Sequence, residues 1–511
     1  MPDSEVAAWL FWDSRFGIPD IKRIQKALVL PGHLWHAGLR LRMQGKPGII
    51  DFVHPTWMLN RDPDPDIEAT SWRLSLRACL IRTEVLRQMG GPRPAFRSLD
   101  GAALEMGHRY ISRGVFMRHV PWLVPDALPD IEPLAPLVDE LRFALYRFGR
   151  FWSRWALGRA LFSGYAPRRA LIKAWRQVSG SSLPGHPPPF QDSKEADGLE
   201  GRHAWVSVLI PTLERYSYLR TLLHQLRAQT IPPYEIIVVD QTPFAQRDTT
   251  LAKEFPDLPL RVYYQDQPGQ CSSRNAGLQQ AEGDYILFID DDDEVSPSLI
   301  ERHLNALHRF RAGVSCGVAD EVGAGPLPDA FRLVRASDVF PTNNTLICKH
   351  VLERSGLFDL AYEHGQRADG DLGMRIYLGG VLMVLNPEIS VVHHHAPRGG
   401  LRAHKARVIT YASSRSRLQS RHLPSVTEIY LSRRYFSRRQ VREMLWLRVF
   451  GTFSVRGGFS KKMLKCFVGL ITLPHTLWKI RQHYKYGSMM LEDYPQIPNL
   501  NSEEAVIGSN V

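Results

Sequence analysis

The chain has 511 residues, 44% of them hydrophobic, with twelve Trp; 64 Lys and Arg stand against 52 Asp and Glu for a net charge of +12. That length carries two folded domains with helical extensions, and the apolar content excludes a disordered chain. The five cysteines (Cys79, Cys271, Cys316, Cys348, Cys466) are odd in number and lack CxxC spacing, which excludes a disulfide framework and a zinc site and fits reduced thiols in a cytoplasmic enzyme. No nucleic-acid-binding motif accompanies the positive charge, so no nucleic acid is expected as a partner.

The start, Met1-Pro-Asp-Ser-Glu-Val, is acidic and reads as no signal peptide, and no apolar run approaches the roughly 18–20 residues that span a bilayer. Residues 1–125 read as a first domain whose pattern recurs downstream. Residues 126–200 read as basic amphipathic helices and a linker. Leu137, Leu141, Leu145, Phe148, Trp152 and Trp155 make one helical face, with Arg142, Arg147, Arg150 and Arg154 over the other side. The stretch 180–198, with Pro184, Pro187, Pro188 and Pro189, is the linker.

A β-branched strand is predicted over 205–210, ending at Pro211-Thr212. Apolar spacing predicts a helix over 218–229, then strands over 234–239, ending on Asp240, and over 260–264. Residues 269–273 read as a polar loop, with a helix opening at Arg274-Asn275-Ala276-Gly277 and running to Ala281. The strand 285–289 follows. Continuous apolar strands alternating with helices imply an α/β fold, a mostly parallel sheet flanked by helices, and such sheets bind ligands at the carboxyl ends of their strands. Pro211, Thr212, Glu214 and Asp240 fall at those ends.

So does Asp290-Asp291-Asp292-Asp293, directly after the strand 285–289. Four successive carboxylates repel one another. Mg2+ or Mn2+ relieves this by taking one or two of them and filling its other positions with phosphate oxygens and water. A lone acidic run also serves to cap a following helix; the surroundings here favour the cation.

The strings Val208-Leu-Ile-Pro-Thr212, Ile237-Val-Val-Asp240, Ser273-Arg-Asn-Ala-Gly277 and Gly283-Asp-Tyr-Ile-Leu-Phe-Ile-Asp-Asp-Asp-Asp293, in this order, resemble a family 2 glycosyltransferase with a GT-A fold. The resemblance covers residues 205 to about 400 and makes 201–405 the catalytic domain. It implies that Thr212, Glu214 and Asp240 hold the base and ribose of a nucleotide sugar and that Arg274 sits near the diphosphate. Asp290 to Asp292 would be the DXD motif, Asp290 towards the ribose and Asp292 on the metal. Downstream, Ala368-Asp369-Gly370-Asp371-Leu372-Gly373-Met374-Arg375 stands where the family shows Glu-Asp-x-Asp-Leu-x-x-Arg. Carried over, Asp369 is the catalytic base and Asp371 its neighbour, with Ala368 departing from the usual Glu. A base is needed because a sugar hydroxyl is a poor nucleophile until its proton is taken. The same resemblance makes His393, before His394 and His395, a further metal ligand; neighbouring strand residues face opposite ways, so all three cannot serve one site.

The first domain matches the second at one fixed offset. Leu80-Ile81, Val85-Leu86, Gly90, Ala102, Gly107, Arg109, Gly114-Val115, Met117 and Pro121 recur as Leu346-Ile347, Val351-Leu352, Gly356, Ala368, Gly373, Arg375, Gly380-Val381, Met383 and Pro387. There Asp369 faces Ala103 and Asp371 faces Glu105. In a looser match of Leu10–Arg15 with Leu287–Asp292, Arg15 stands for Asp292. Residues 1–125 thus read as a degenerate GT-A-like half domain without an active site.

Residues 406–494 read as basic helices. Arg433, Arg434, Arg438, Arg439, Arg442, Lys461, Lys462 and Lys465 alternate there with Phe436, Trp446, Phe450 and the stretch 467–473, a pattern suited to an anionic membrane surface. Residues 495–511 read as a disordered tail. The whole points to an inverting, metal-dependent transferase that moves a sugar from a nucleotide-diphosphate donor to a saccharide or lipid-linked saccharide. The setting implied is bacterial surface polysaccharide or glycolipid synthesis at the inner face of the plasma membrane. A noncatalytic nucleotide-sugar- or glycan-binding scaffold is the first rival. A sugar nucleotidyltransferase is the second, and Pro211-Thr212-Leu213-Glu214-Arg215 stands where its glycine-rich basic signature belongs.

Overall fold

The computed structural model describes residues 6–192, 204–323, 325–394, 396, 418 and 423–500. The first domain runs β1 (Ala8–Trp12), α1 (Ile21–Leu28), β2 (Leu34–His36), β3 (Ala69–Thr70), β4 (Ala78–Arg82), α2 (Thr83–Met89), α3 (Leu99–Ile111) and β5 (Met117–His119). Helices α4 (Leu137–Ser163) and α5 (Arg168–Val178) lead to the second domain. This comprises β6 (Val206–Thr212), α6 (Tyr216–Arg227), β7 (Glu235–Asp240), α7 (Leu251–Glu254), β8 (Leu260–Tyr264), α8 (Gln270–Gln280), β9 (Tyr285–Ile289), β10 (Asp293–Val295) and α9 (Leu299–Phe310). It continues with β11 (Val314–Glu321), β12 (Arg335–Ala336), β13 (Asn344–Cys348), α10 (Lys349–Ser355), α11 (Ala368–Leu378) and β14 (Met383–His393). Helices α12 (Val426–Tyr435), α13 (Arg438–Gly451) and α14 (Phe459–Asp493) close the described chain.

The large sheet is ordered β10-β14-β11-β13-β9-β6-β7-β8, with β12 on β14. Strands β9, β6, β7 and β8 are parallel, so Thr212 and Asp240 pair side by side and the acidic run emerges at the same edge. On the other side, β13 runs antiparallel to β9 and β11. The fold is α/β, as expected. Helix α8 starts at Gln270, inside the expected loop, because Glu363 accepts hydrogen bonds from the N–H groups of Cys271 (2.7 Å) and Ser272 (3.0 Å) and caps it from a distance.

The smaller sheet, β1-β4-β2-β5-β3, repeats the order of β9-β13-β11-β14-β12. Register repeats too: Trp12 faces Ala78 as Ile289 faces Asn344, Leu34 faces Ile81 and Met117 as Val314 faces Ile347 and Met383, and Thr70 faces Arg118 as Ala336 faces Val384. One difference stands out. Strand β9 is covered on its outer edge by β6, whereas β1 lies at the edge of its sheet.

The two domains share a hydrophobic core that reaches from Leu34 and Ile81 to Phe288 and Phe358. They meet through matching glycines. A Cβ on Gly114 (φ 92°) would lie 2.6 Å from the Val334 carbonyl oxygen, and one on Gly380 (φ 81°) 2.2 Å from the Glu68 carbonyl oxygen. Both positions need glycine for backbone conformation and for close approach. Helix α4 does not keep its expected single face: Gly149 (φ 77°) kinks it, so Leu141 and Leu145 are buried while Trp152 is exposed. The basic residues also divide. Arg434 pairs with Asp359 and Arg439 with Asp51, and Lys465 is buried with its Nζ on the Leu418 carbonyl (2.7 Å), so none of these three belongs to a free basic face.

Fully buried Glu105 faces Arg109 (3.3 Å), Arg93 (3.4 Å) and Arg147 (3.7 Å). Glu105→Ala strands these guanidinium charges and should lower stability by about 3–5 kcal/mol, read as a fall in the midpoint of denaturant unfolding; an unchanged midpoint would mean that the pair network carries no stability.

Candidate functional site

The carboxyl ends of β6, β7 and β9 and the end of β14 converge on the acidic run, and each of its carboxylates meets a cation. Arg274 Nη2 donates to Asp290 (3.0 Å), Arg215 Nη1 donates to Asp291 (2.9 Å) and lies 3.2 Å from Asp292, and His393 Nδ1 lies 2.8 Å from Asp293. Strand β10 sets that last contact by pairing Asp293 with His393 across an antiparallel ladder. His394 faces away and bonds Glu294 (2.6 Å), as alternation along a strand requires; His395 lies outside the described residues.

Ligand atoms of Asp290, Asp293 and His393 lie within 4.8 Å of one another, a cluster able to hold a cation. Asp293 was not singled out from the sequence, although it stands in the acidic run itself. Asp292 contributes differently. One oxygen accepts from the Ala396 N–H (2.8 Å), while the buried Oδ1 makes no hydrogen bond among the described residues but is ion-paired, 3.2 Å from Arg215 Nη1 and 3.7 Å from His393 Nδ1. Three ligand atoms within reach of one another beside this further carboxylate oxygen fit a hard divalent cation.

The expected donor-side residues divide into supports and open groups. Asp291 is fully buried, holding Thr212 Oγ1 (2.8 Å) and Arg215, and burial, opposed by the Arg215 charge, lifts its carboxyl to about 7. It therefore anchors its neighbours and is not exposed to a donor. Asp240 is likewise buried, accepting from Tyr216 OH (2.6 Å) and the Thr242 N–H (2.9 Å). Pro211 is half-buried and Glu214 exposed, the latter at φ 58°. Arg274 keeps a buried Nε with no hydrogen-bond partner among the described residues. Among the described residues two of the four non-glycine residues with positive φ are Glu214, at the end of β6, and Arg367, which caps α11 at φ 83°. Each such conformation costs about 1–3 kcal/mol and persists only where the surroundings impose it.

Helix α11 separates its two aspartates. Asp369, in the first turn, is half-buried, and no hydrogen bond or ion pair to a described residue engages it. Asp371, expected beside it in catalysis, is instead fully buried and taken up by Arg375 Nε (2.9 Å), Tyr435 OH (2.7 Å) and Tyr362 OH (3.4 Å). The same Arg375 bonds the Ser355 and Leu357 carbonyls, as Arg109 in the first domain bonds those of Met89 and Gly90. Because Glu105 and Arg109 repeat the pair where no base exists, the Asp371–Arg375 pair is a fold element. Tyr435 and Tyr362 carry no local sequence signal for this role.

Residues 207–358 match the family model described as Glycosyl transferase family 2. Among curated proteins, the uncharacterized glycosyltransferase YwdF of Bacillus subtilis (strain 168) is 36% identical over 98 residues, 19% of this chain and 36% of that protein. Poly(ribitol-phosphate) beta-N-acetylglucosaminyltransferase TarS of Staphylococcus aureus (strain Mu50 / ATCC 700699) is 32% identical over 145 residues, 28% of this chain and 25% of that one. The chain thus spans about a third of the length of the first relative and a quarter of that of the second. Among solved structures, the mannosyltransferase PcManGT from Pyrobaculum calidifontis in complex with GDP-Man and Mn2+ gives a TM-score of 0.37 at 16% identity, over 65% of this chain and 96% of that one. That likeness is too distant to bear on chemistry.

His393 sits in opposing influences. Burial works to lower its pKa, but the hydrogen bond to Asp293 and the charges of Asp293, Asp290 and Asp292 prevail and raise it to about 9. A cation entering this cluster displaces that proton, so affinity rises with pH. Titration with Mn2+ should show an affinity that climbs up to about tenfold per unit between about pH 6 and 9. A flat profile would remove His393 from the ligand set.

Proposed function

With residues 207–358 a glycosyl transferase family 2 domain, we propose that the chain moves a sugar from a nucleotide-diphosphate donor to an acceptor hydroxyl with inversion at the anomeric carbon. The observation that carries this reading is the contrast on α11: Asp371 is locked in a buried network, while Asp369, two residues before it, keeps a half-buried carboxylate that no described residue engages. Asp369 takes the proton of the acceptor hydroxyl as its oxygen bonds the anomeric carbon and the bond to the diphosphate breaks. Arg274 faces the departing diphosphate, its guanidinium already aimed at the acidic edge. Asp290, Asp292, Asp293 and His393 would hold Mg2+ or Mn2+, which when bound supplies positive charge for the leaving group. Of the three residues expected to hold base and ribose, exposed Glu214 is left to do so, while buried Thr212 and Asp240 set the strand ends beneath it.

The setting proposed is the inner face of a bacterial plasma membrane, with a saccharide or lipid-linked saccharide as acceptor in surface polysaccharide or glycolipid synthesis. Support comes from α14, where Phe459, Met463, Phe467, Leu470, Ile471 and Trp478 are exposed at helical spacing beside Lys461 and Lys462. No helix among the described residues is long and apolar enough to cross a membrane, so this face would lie along the surface.

Transfer assayed across a panel of nucleotide-diphosphate sugars, with Mn2+ and with chelator, tests the chemistry. One donor should be consumed in a metal-dependent way, and Asp369→Asn should cut transfer about 100- to 10,000-fold with donor affinity held. Full activity in the variant would place the base elsewhere, and donor binding without turnover on any acceptor would favour the scaffold reading. For the membrane face, cosedimentation with anionic phosphatidylglycerol vesicles should be lost in Phe467→Ser/Ile471→Ser; equal pelleting of both proteins would discard it.

A further inference from the structure

A second cavity, of about 900 Å3, opens at the seam between the two domains, within the size range of sites for small ligands. It lies away from the acidic edge. Ile389, on its wall, is four residues before His393 on β14, or about 13 Å at the rise of a strand. The cavity belongs to neither half alone. Phe116, a first-domain residue buried in the second domain's core, meets Phe310 at the end of α9 with ring centroids 4.8 Å apart, and the half-buried rings of Phe310 and Phe190 make an aromatic floor. Gly114 next to it fits only against the Val334 carbonyl, so the seam that forms the floor is sterically set.

Around that floor the groups are polar, with three arginines (Arg302, Arg309 and Arg332) against two carboxylates (Asp192 and Glu388). Arg302 spends one N–H on the Glu388 carbonyl (2.8 Å), Arg332 has among the described residues only Asp329 as an ion-pair partner, at 3.7 Å, and Glu388 itself is an exposed carboxylate. Asn305, on the same face of α9 as Arg302, has a buried Oδ1 with no hydrogen-bond partner among the described residues. A buried amide oxygen without a donor costs free energy that a ligand hydroxyl would recover. Guanidinium donors, an amide acceptor and a carboxylate over aromatic rings match a molecule with apolar faces, many hydroxyls and negative charge.

From this arrangement we infer that the seam cavity is a binding site for an acidic oligosaccharide, one carrying carboxylate or phosphate groups. The rings stack on sugar faces, Arg302 and Arg332 take the acidic groups, and Asn305 and Glu388 accept hydroxyl protons. Its role, holding acceptor glycan at a distance from the transfer point, rests on the transferase reading above; its existence as a site does not.

The test is a calorimetric titration of the full chain, without donor or metal, against tetrasaccharides of galacturonate and hyaluronan, the neutral maltotetraose, and inorganic phosphate. At least one acidic tetrasaccharide should bind saturably. Arg302→Ala/Arg332→Ala should weaken it at least about tenfold, with melting temperature and circular dichroism unchanged, and Arg302→Lys/Arg332→Lys should restore part of the loss. Absence of saturable binding by both acidic probes, or equal binding by the alanine variant, overturns the proposal. So does maltotetraose binding as tightly, or phosphate alone matching the oligosaccharide, which would reduce the cavity to an anion site. Because no transfer is read, loss of the transferase reading and loss of this site appear as separate results.

Discussion

Confinement of four adjacent carboxylates at the end of one buried strand is the constraint around which this structure is arranged. Asp291, Asp292 and Asp293 are each almost wholly removed from water, and unpaired charges there would cost several kcal/mol apiece. The fold answers with Arg215 from the start of α6, Arg274 from α8 and His393 from the far end of β14. These cations come from three separate elements, so the acidic run can be stable only when β6, β9, β10 and β14 are all in place. A binding edge so made is preorganised: its charges are oriented before any ligand arrives, which is the condition under which fixed charges are most effective.

The doubled half fold works as an internal control on which features belong to architecture. Strand order, register, the glycine turns at 114 and 380, and the buried acid–arginine pair on the base helix occur in both copies. They persist where Ala103 stands for Asp369 and Arg15 for Asp292, hence they follow from building the sheet and its helices. The acidic run, Asp369 and His393 occur only in the second copy. In the first, Asp13 is closed off by Arg15 and Arg77, whose charges and hydrogen bonds hold its carboxyl well below the usual range against a modest opposing effect of burial. A cation supplied by the chain fills the place where the second copy gathers its cluster.

Much of this was readable in the residues because strands and strand ends are local. The strands 206–212, 235–240 and 285–289 follow from continuous apolar runs, and parallel pairing then brings Thr212, Asp240 and Asp290 to one edge. Even the repeat could be aligned residue for residue. What stayed hidden depends on partners distant in sequence. Asp371 looked like a second catalytic acid because nothing nearby reveals Tyr435, which reaches it from α12. The loop expected at 269–273 is helix because Glu363 caps it. Gly149 was passed over inside an apolar stripe, although its left-handed backbone turns Trp152 outward. Asp293 was passed over for Asp292, since only the β10–β14 ladder shows which carboxylate meets His393.

The first domain is tied to α11, the helix of the proposed base. Asp51 in that domain accepts from Arg439 Nε (2.9 Å) and Gln440 Nε2 (3.0 Å), while Arg159 of α4 grips Glu443 (2.7 Å), so α13 is fastened both to the first domain and to the connecting helix α4. Only Phe436 and Ser437 separate α13 from α12, and Ser437 is fixed by a capping box. Helix α12 in turn reaches the base helix through Tyr435 on Asp371 and holds Asp359 through Tyr430 (2.7 Å). Every link in this series is a hydrogen bond or ion pair between packed elements. The first domain therefore acts as a rigid mount: it fixes α13, α13 fixes α12, and α12 fixes the turn of α11 from which Asp369 projects. A base must sit within hydrogen-bond reach of the hydroxyl it deprotonates, and a displacement of about 1 Å can cost some hundredfold in rate. With Asp369 in its proposed role, that demand on position would account for the second half fold without any chemistry of its own.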